Sequence, residues 1–305
     1  MAGRWTATDI PDQSGRVAVV TGANSGLGLV TASELARHGA TVVMAVRDVA
    51  KGEKAAASVT GSVDVRALDL ADLGSVREFA TSLPFERVDL LINNAGVMAP
   101  PRRLTADGFE SQFGTNHLGH FALTGLLLGR LLASSAPRVV TLSSGAHRIG
   151  RIRFDNLQGE KHYVNWLAYG QSKLANLLFC FELQKRASLA GSSLLSLAAH
   201  PGYAQTNLQF AGPKWWEQAI MRVSNPVLGQ SAEMGALPTL YAATAPDLPG
   251  GSFVGPDGPF EQRGYPKVVG AASRAYREED WRRLWEVSEE LTGVHYEWVA
   301  RAAAA

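Results

Sequence analysis

The sequence has almost no cysteine: Cys180 is the only one in 305 residues, so no disulfide can form within the chain. Its longest apolar stretch, "FALTGLLLGRLLA" from Phe121, is interrupted by Arg130 and falls short of the roughly 18 residues a bilayer-spanning helix needs. Charge of one sign is not in excess either, since 29 basic residues face 28 acidic ones for a formal charge of +1. That balance gives the whole molecule no pull toward nucleic acid or an anionic membrane, and small molecules become the expected partners. The opening "MAGRWTATDI" lacks the basic start and apolar core of a secretion signal. Together with the lone cysteine this makes a cytoplasmic setting the expectation. His117 and His120 lie close in sequence but have no acidic or cysteine ligand at metal spacing beside them, so no metal is expected.

What is present is a globular composition, 46% apolar and 19% charged, laid out as an alternation. "RVAVVTGA" from Arg16 is a short β-branched run, helical spacing follows from about Gly26 to His38, and "ATVVMAV" is the next strand. The pattern continues through "VDVRALDL", a helix from about Leu73, "VDLLINNAG", a long helix across Phe109 to Ala133, and "RVVTLSS". A helix over Leu167 to Ser188, the strand "SLLSLAAHPG" and a late strand near "GSFVG" complete it. Strands that are apolar almost throughout fit a parallel sheet covered by helices on both faces. With no repeat, linker or composition break before Gly251, the reading is α/β: one doubly wound domain over residues 1–305, with a mostly seven-stranded parallel sheet. A helical extension over about 276–305 carries Trp281, Leu284, Trp285 and Leu291 at helical spacing, with Gly293 after its end.

"TGANSGLG", Thr21 to Gly28, falls between the first strand and the first helix, where open α/β sheets bind dinucleotides. Glycines there allow a tight turn and close approach to a pyrophosphate, and the free N–H groups of the helix start favour its charge. A ligand-free strand-to-helix turn is the competing reading. At the end of the second strand Val46 occupies the position of an acidic ribose ligand and Arg47 follows it, a guanidinium suited to a 2′-phosphate. NADP is therefore favoured, with NAD open if Asp48 reaches the ribose. Asp69 and "NNAG", Asn93 to Gly96, end the third and fourth strands at the same sheet edge.

"LAYGQSKLAN" places Tyr169 and Lys173 four residues apart, on one face of a helix. Such a pair is either a solvated surface pair or a proton donor with the cation that lowers its pKa from near 10. "TLSS" ends the fifth strand, so Ser143 or Ser144 projects at the same edge, where a hydroxyl can bond a substrate oxygen.

From Gly15 to Tyr203 the order and spacing of the glycine turn, "NNAG", the asparagine of "GTNHLGHF", "LSS", "YGQSK" and "HPG" resemble the short-chain dehydrogenase/reductase family. "TGANSGLG", "VRDVAKGE", "DNLQGEKHY" and "TNHLGHFALT" are similar to its retinol-dehydrogenase-like and protochlorophyllide-reductase-like members. Tyr169 follows Ser144 by 25 residues, the longer gap of the retinol-dehydrogenase-like group. The resemblance implies a tetrad of Asn116, Ser144, Tyr169 and Lys173. Tyr169 would be the acid/base and Ser144 would polarise the substrate oxygen. Lys173 would lower the tyrosine pKa and hold the nicotinamide ribose, and Asn116 would hold a helix turn and a relaying water. For the cofactor it implies Gly22, Asn24, Ser25, Gly26, Leu27, Gly28, Arg47, Asp69, Leu70, Asn93, Ala95 and Gly96, with Tyr169 and Lys173. Pro201 and Gly202 would set a turn over the nicotinamide, with Thr206 beside it.

Residues 203–230, with Phe210, Trp215, Trp216, Ile220 and Met221, read either as a flap over a greasy substrate or as a packed helix or subunit interface. The expected substrate is a hydrophobic alcohol or carbonyl compound, retinoid- or steroid-like. A catalytically idle NADP-binding sensor is the alternative, and the complete tetrad argues against it. The two long helices suggest a homodimer or homotetramer.

Overall fold

The computed structural model describes residues 4–203 and 230–298. Seven strands run parallel: β1 (Val17–Thr21), β2 (Thr41–Val46), β3 (Ser62–Ala67), β4 (Leu90–Asn93), β5 (Arg138–Leu142), β6 (Leu195–Ala199) and β7 (Phe253–Pro256). An eighth, β8 (Pro266–Val268), pairs antiparallel with β7 at the edge, giving the order β3-β2-β1-β4-β5-β6-β7-β8. The seven parallel strands are those of the sequence reading, and the short antiparallel edge strand adds to them. Three residues are too few to show a period, and the strand opens on a proline, which an edge tolerates.

Side chains alternate between the two faces. Val19, Val43, Leu91 and Val139 pack on one side with Val76 and Phe79 of α3 (Leu73–Ser82). Ala18, Val20, Val42, Met44, Leu90 and Ile92 pack on the other with Ala32 and Leu35 of α1 (Gly26–Arg37). Strands with both faces buried are apolar throughout, which is why they stood out in the sequence.

Between β2 and β3 lies α2 (Val49–Ala56). The helix predicted as continuous from Phe109 to Ala133 is segmented. It begins as α4 (Ser111–Phe113), widens into a π turn over Gly114–Leu118, and continues as α5 (Gly119–Leu126) and α6 (Leu128–Leu132). The helix that carries Tyr169 and Lys173, α7 (Asn165–Leu189), matches its expected span within two residues at its start and one at its end. One helix went unread: α8 (Ala232–Thr244) contains Gly235 and Pro238, both poor helix formers, yet buries Ala236, Leu240 and Ala243 against the sheet.

The C-terminal extension is α9 (Glu278–Thr292), with Glu278, Glu279 and Asp280 at its positive end and Gly293 closing it at φ +62°. Trp285 is 2% exposed and stacks on Phe179 of α7 at 5.9 Å between ring centroids. It also meets Phe121 of α5 edge-on at 5.1 Å. The apolar faces of α5 and α7, which suggested assembly, are thus covered in part by the chain's own last helix. No described helix is long and apolar enough to cross a membrane.

Candidate active site

Strand order reverses at β1, which pairs with β2 on one side and β4 on the other. The crossovers leave in opposite directions there and open a crevice at the carboxyl ends of the strands. In this chain the crevice is a cleft of about 320 Å³. Gly22, Asn24, Ser25, Gly26, Leu27 and Gly28 form its floor, joined by Arg47, Asp69, Leu70, Ala95, Gly96, Tyr169, Lys173 and Pro201. Of the residues predicted for the cofactor, Asn93 and Gly202 stand elsewhere. Asn93 is fully buried and donates to Thr124 and Thr141 at 3.1 and 3.4 Å, which makes it a core tie. Gly202 borders a neighbouring chamber, and Thr206 lies outside the described residues.

The glycine turn has the geometry a dinucleotide needs. Gly22 and Gly26 have φ of +67° and +55°, accessible at little cost only without a Cβ. A Cβ on Gly28 would come within 2.3 Å of the Gly22 carbonyl oxygen, so helix and turn can be this close only at glycine. Ser25, at the N-cap of α1, makes no side-chain cap bond. The first-turn N–H groups therefore face the cleft without a capping side chain, the chemistry that holds a pyrophosphate.

At the adenosine end Val46 is 1% exposed and belongs to the core, while Arg47 and Lys51 line the cleft. Asp48 caps α2 by accepting from the Lys51 N–H at 3.1 Å, and its carboxylate lies 3.0 Å from Lys51 Nζ. The acid that could have addressed a ribose is therefore engaged. Lys51 was not singled out from the sequence; its position three residues after an N-cap aspartate in "VRDVAKGE" was the available signal.

At the other end the tetrad assembles. The two serines divide their work: Ser143 Oγ donates to the Lys173 carbonyl at 2.8 Å and fixes α7, while Ser144 Oγ accepts from the Ala146 N–H at 3.2 Å and stands near enough to the Tyr169 phenol to favour its ionised form. Lys173 Nζ donates to the Leu142 carbonyl at 3.2 Å and stands 5.7 Å from the centre of the Tyr169 ring. A Cβ built on Gly96 would lie 3.0 Å from Asn116 Oδ1 and 3.5 Å from Lys173 Nζ, so the "NNAG" turn reaches both only as glycine.

The phenol's pKa runs against the expectation of a lysine-lowered value. Burial pushes Tyr169 up to about 12, with the Ser144 hydroxyl opposing, while burial brings Lys173 down to about 8. With Nζ turned to Leu142 rather than to the phenol, desolvation dominates, and Tyr169 in the chain alone is a protonated acid.

Asn116 sits in the π turn, a widening that often marks functional sites. Its Oδ1 accepts from the Val97 N–H at 2.7 Å, and its Nδ2 donates to the Val97 carbonyl at 3.0 Å and to Ser172 Oγ at 2.9 Å. The side-chain amide is a tie between the β4 turn and α7. The expected hold on the helix turn is present, whereas a relaying water would have to use the backbone carbonyl.

Beyond Ser144 opens a chamber of about 570 Å³, bordered by Arg148, His200, Tyr203, Phe260 and Glu261 among the described residues. His200 packs its ring onto Gly255 with Nε2 3.2 Å from Glu261. The apolar side chains predicted for a flap, Phe210, Trp215, Trp216, Ile220 and Met221, fall outside the described residues. A smaller hollow of about 140 Å³ beneath residues 149–168 contains none of the predicted site residues.

Comparison with known proteins points the same way as this geometry. The family model described as short chain dehydrogenase matches residues 16–215. Retinol dehydrogenase 12 of Mus musculus is 45% identical over 292 residues, 93% of this chain and 88% of that protein. The crystal structure of an uncharacterized protein from Mycobacterium paratuberculosis is 53% identical and superposes with a TM-score of 0.84, covering 97% of this chain and all of that one. A structure from Beutenbergia cavernae, described as an NAD(P)-dependent gluconate 5-dehydrogenase with bound NADP, is 27% identical with a TM-score of 0.59 over 76% of this chain and 91% of that one.

Proposed function

Because this chain belongs to the short-chain dehydrogenase family, we propose that it is an NADP-dependent oxidoreductase whose substrate is a hydrophobic alcohol or carbonyl compound, retinoid- or steroid-like. The observation that carries the reading is the convergence of Tyr169, Lys173 and Gly96 on one cleft that begins at an uncapped helix start, with Ser144 bordering the adjoining chamber. The nicotinamide, when bound, supplies or receives the hydride. Lys173 and the Gly96 turn hold its end of the cleft, and Arg47 and Lys51 supply the positive charge that a 2′-phosphate requires. Engagement of Asp48 by Lys51 supports NADP over NAD.

In the reductive direction Ser144 Oγ–H donates to the carbonyl oxygen, drawing charge onto it. Tyr169, protonated at neutral pH, delivers its proton to that oxygen as hydride reaches the carbon. Lys173 then lies within reach of the developing phenolate and offsets its charge. In oxidation the same atoms act in reverse.

The substrate class rests on the resemblance to retinol dehydrogenases. The test is NADPH oxidation, followed by absorbance, against a panel of hydrophobic aldehydes and ketones, with NADH in parallel. Turnover at least tenfold more efficient with NADPH is expected. A preference for NADH would refute the role given to Arg47, and confinement of activity to small polar carbonyls would refute the substrate class.

A further inference from the structure

His120 is buried to 1% exposure between the two halves of the site and belongs to neither in the account above. Its Nδ1 lies 3.0 Å from the Asn116 carbonyl oxygen and its Nε2 2.9 Å from Thr21 Oγ1. Hydrogen-bond logic fixes where its proton is. A carbonyl oxygen can only accept, so Nδ1 carries the hydrogen, and in a neutral ring Nε2 must then accept from Thr21. The Thr21 oxygen meanwhile accepts from the Asn94 and Ala95 N–H groups, both at 2.9 Å. Both lone pairs of this hydroxyl are thereby used; its proton has the Ile92 carbonyl at 3.3 Å as an alternative to Nε2 at 2.9 Å, and a second ring hydrogen on Nε2 would face an oxygen with no lone pair left to accept it.

From these contacts we infer that His120 is a positioning residue, held as the neutral Nδ1–H tautomer, which ties the cofactor-side turns to the catalytic helix. The tie is continuous. Thr21 borders the cleft and fixes the start of the "NNAG" turn, and His120 passes the constraint to the Asn116 carbonyl. Asn116 Nδ2 then donates to Ser172 Oγ at 2.9 Å, which donates to the Tyr169 carbonyl at 2.8 Å. The π turn is what brings the Asn116 amide and carbonyl to these partners from a single residue. Buried polar chains of this kind, satisfied at every member, impose one geometry. The consequence is that the bed of the nicotinamide and the position of Tyr169 are set together.

His117, one turn away, supplies an internal comparison. Its Nε2 lies 2.9 Å from Ser288 Oγ, and that hydroxyl spends its proton on the Leu284 carbonyl at 2.7 Å. His117 must therefore carry its hydrogen on Nε2, the opposite tautomer, and it ties α9 to the bundle rather than to the cleft. Burial holds both rings neutral, with pKa values down to about 3 for His117 and about 4 for His120.

The inference rests on the reductase reading, but its test does not need a substrate. Nitrogen NMR of the full chain labelled with 15N-histidine at neutral pH should show His120 protonated on Nδ1 alone and His117 on Nε2 alone. NADPH titrations should show His120→Phe binding the cofactor at least tenfold more weakly than wild type. His117→Phe, of similar burial, should bind within about twofold despite a comparable loss in thermal midpoint. An Nε2–H or doubly protonated His120, or cofactor binding in His120→Phe equal to wild type, would overturn the inference. If His120→Phe does not fold, the tautomer in the wild-type chain decides. Failure of the wild-type chain to bind NADPH would count against the reductase reading instead, with the tautomer result still deciding the placement of His120.

Discussion

Burial governs the ionisable groups of this site more strongly than charge pairing. Tyr169 is held as an acid and Lys173 is brought toward neutrality, and a protonated tyrosine is the state that the proposed reduction requires. The same desolvation has a cost at low pH. His117, His120 and His200 have pKa values lowered from 6.5 to about 3, 4 and 4, the last against the pull of Glu261. Between those values and 6.5 the unfolded chain binds more protons than the folded one. Stability is then complete above about pH 6.5 and is lost as pH falls toward 4, by up to about 1.4 kcal/mol per group per pH unit. Urea unfolding at pH 7.0, 5.5 and 4.5 should show the midpoint falling steeply over that range, whereas a midpoint flat to pH 4.5 would mean that these rings are already charged or exposed in the fold.

At the scale of elements, α9 places Trp285 in an aromatic cluster outside the sheet. Trp285 lies between Phe179, Phe121 and Tyr296, the last at 4.4 Å, with the Arg186 guanidinium 4.4 Å from its ring centre. Trp285→Ala should destabilise the protein by about 3–5 kcal/mol, the range for a fully buried large aromatic, and calorimetry would show it as a lower midpoint. A loss under about 1 kcal/mol would mean that α9 is peripheral to the fold. The sequence announced this helix clearly, because an apolar stripe, an acidic start and a closing glycine agree. It did not announce α8, where Gly235 and Pro238 argue locally for a break and only burial against α1 and the sheet overrides them. The π turn was equally hidden. One extra residue in a helix changes no period that a run of buried apolar positions could reveal.

On the scale of the whole molecule, the parallel sheet, its two covered faces and the place of the cleft were legible because the central strands β1, β2, β4 and β5 are largely apolar and the turns after β1 and β4 carry glycine and asparagine. Positions whose role depends on side-chain direction were not. Asn93 and Ala95 stand in the same motif, yet one points into the core and the other lines the cleft. Lys51 and His120 acquire meaning only when Asp48, Thr21 and Asn116 are brought to them by the fold. The tyrosine pKa of the chain alone was hidden for a related reason, since spacing four on a helix puts Lys173 on the right face but does not decide that its Nζ turns to Leu142.

The reductase account turns on a single proton, the one on Tyr169. The most direct measurement is therefore NADPH binding and single-turnover reduction of the best hydrophobic aldehyde by wild type and Tyr169→Phe side by side. The phenylalanine ring fills the same space but cannot donate, so cofactor affinity should stay within about threefold while the rate of reduction falls by 10³ or more, roughly 4 kcal/mol of transition-state stabilisation. Retention of a wild-type rate in Tyr169→Phe, with NADPH bound normally, would contradict the account.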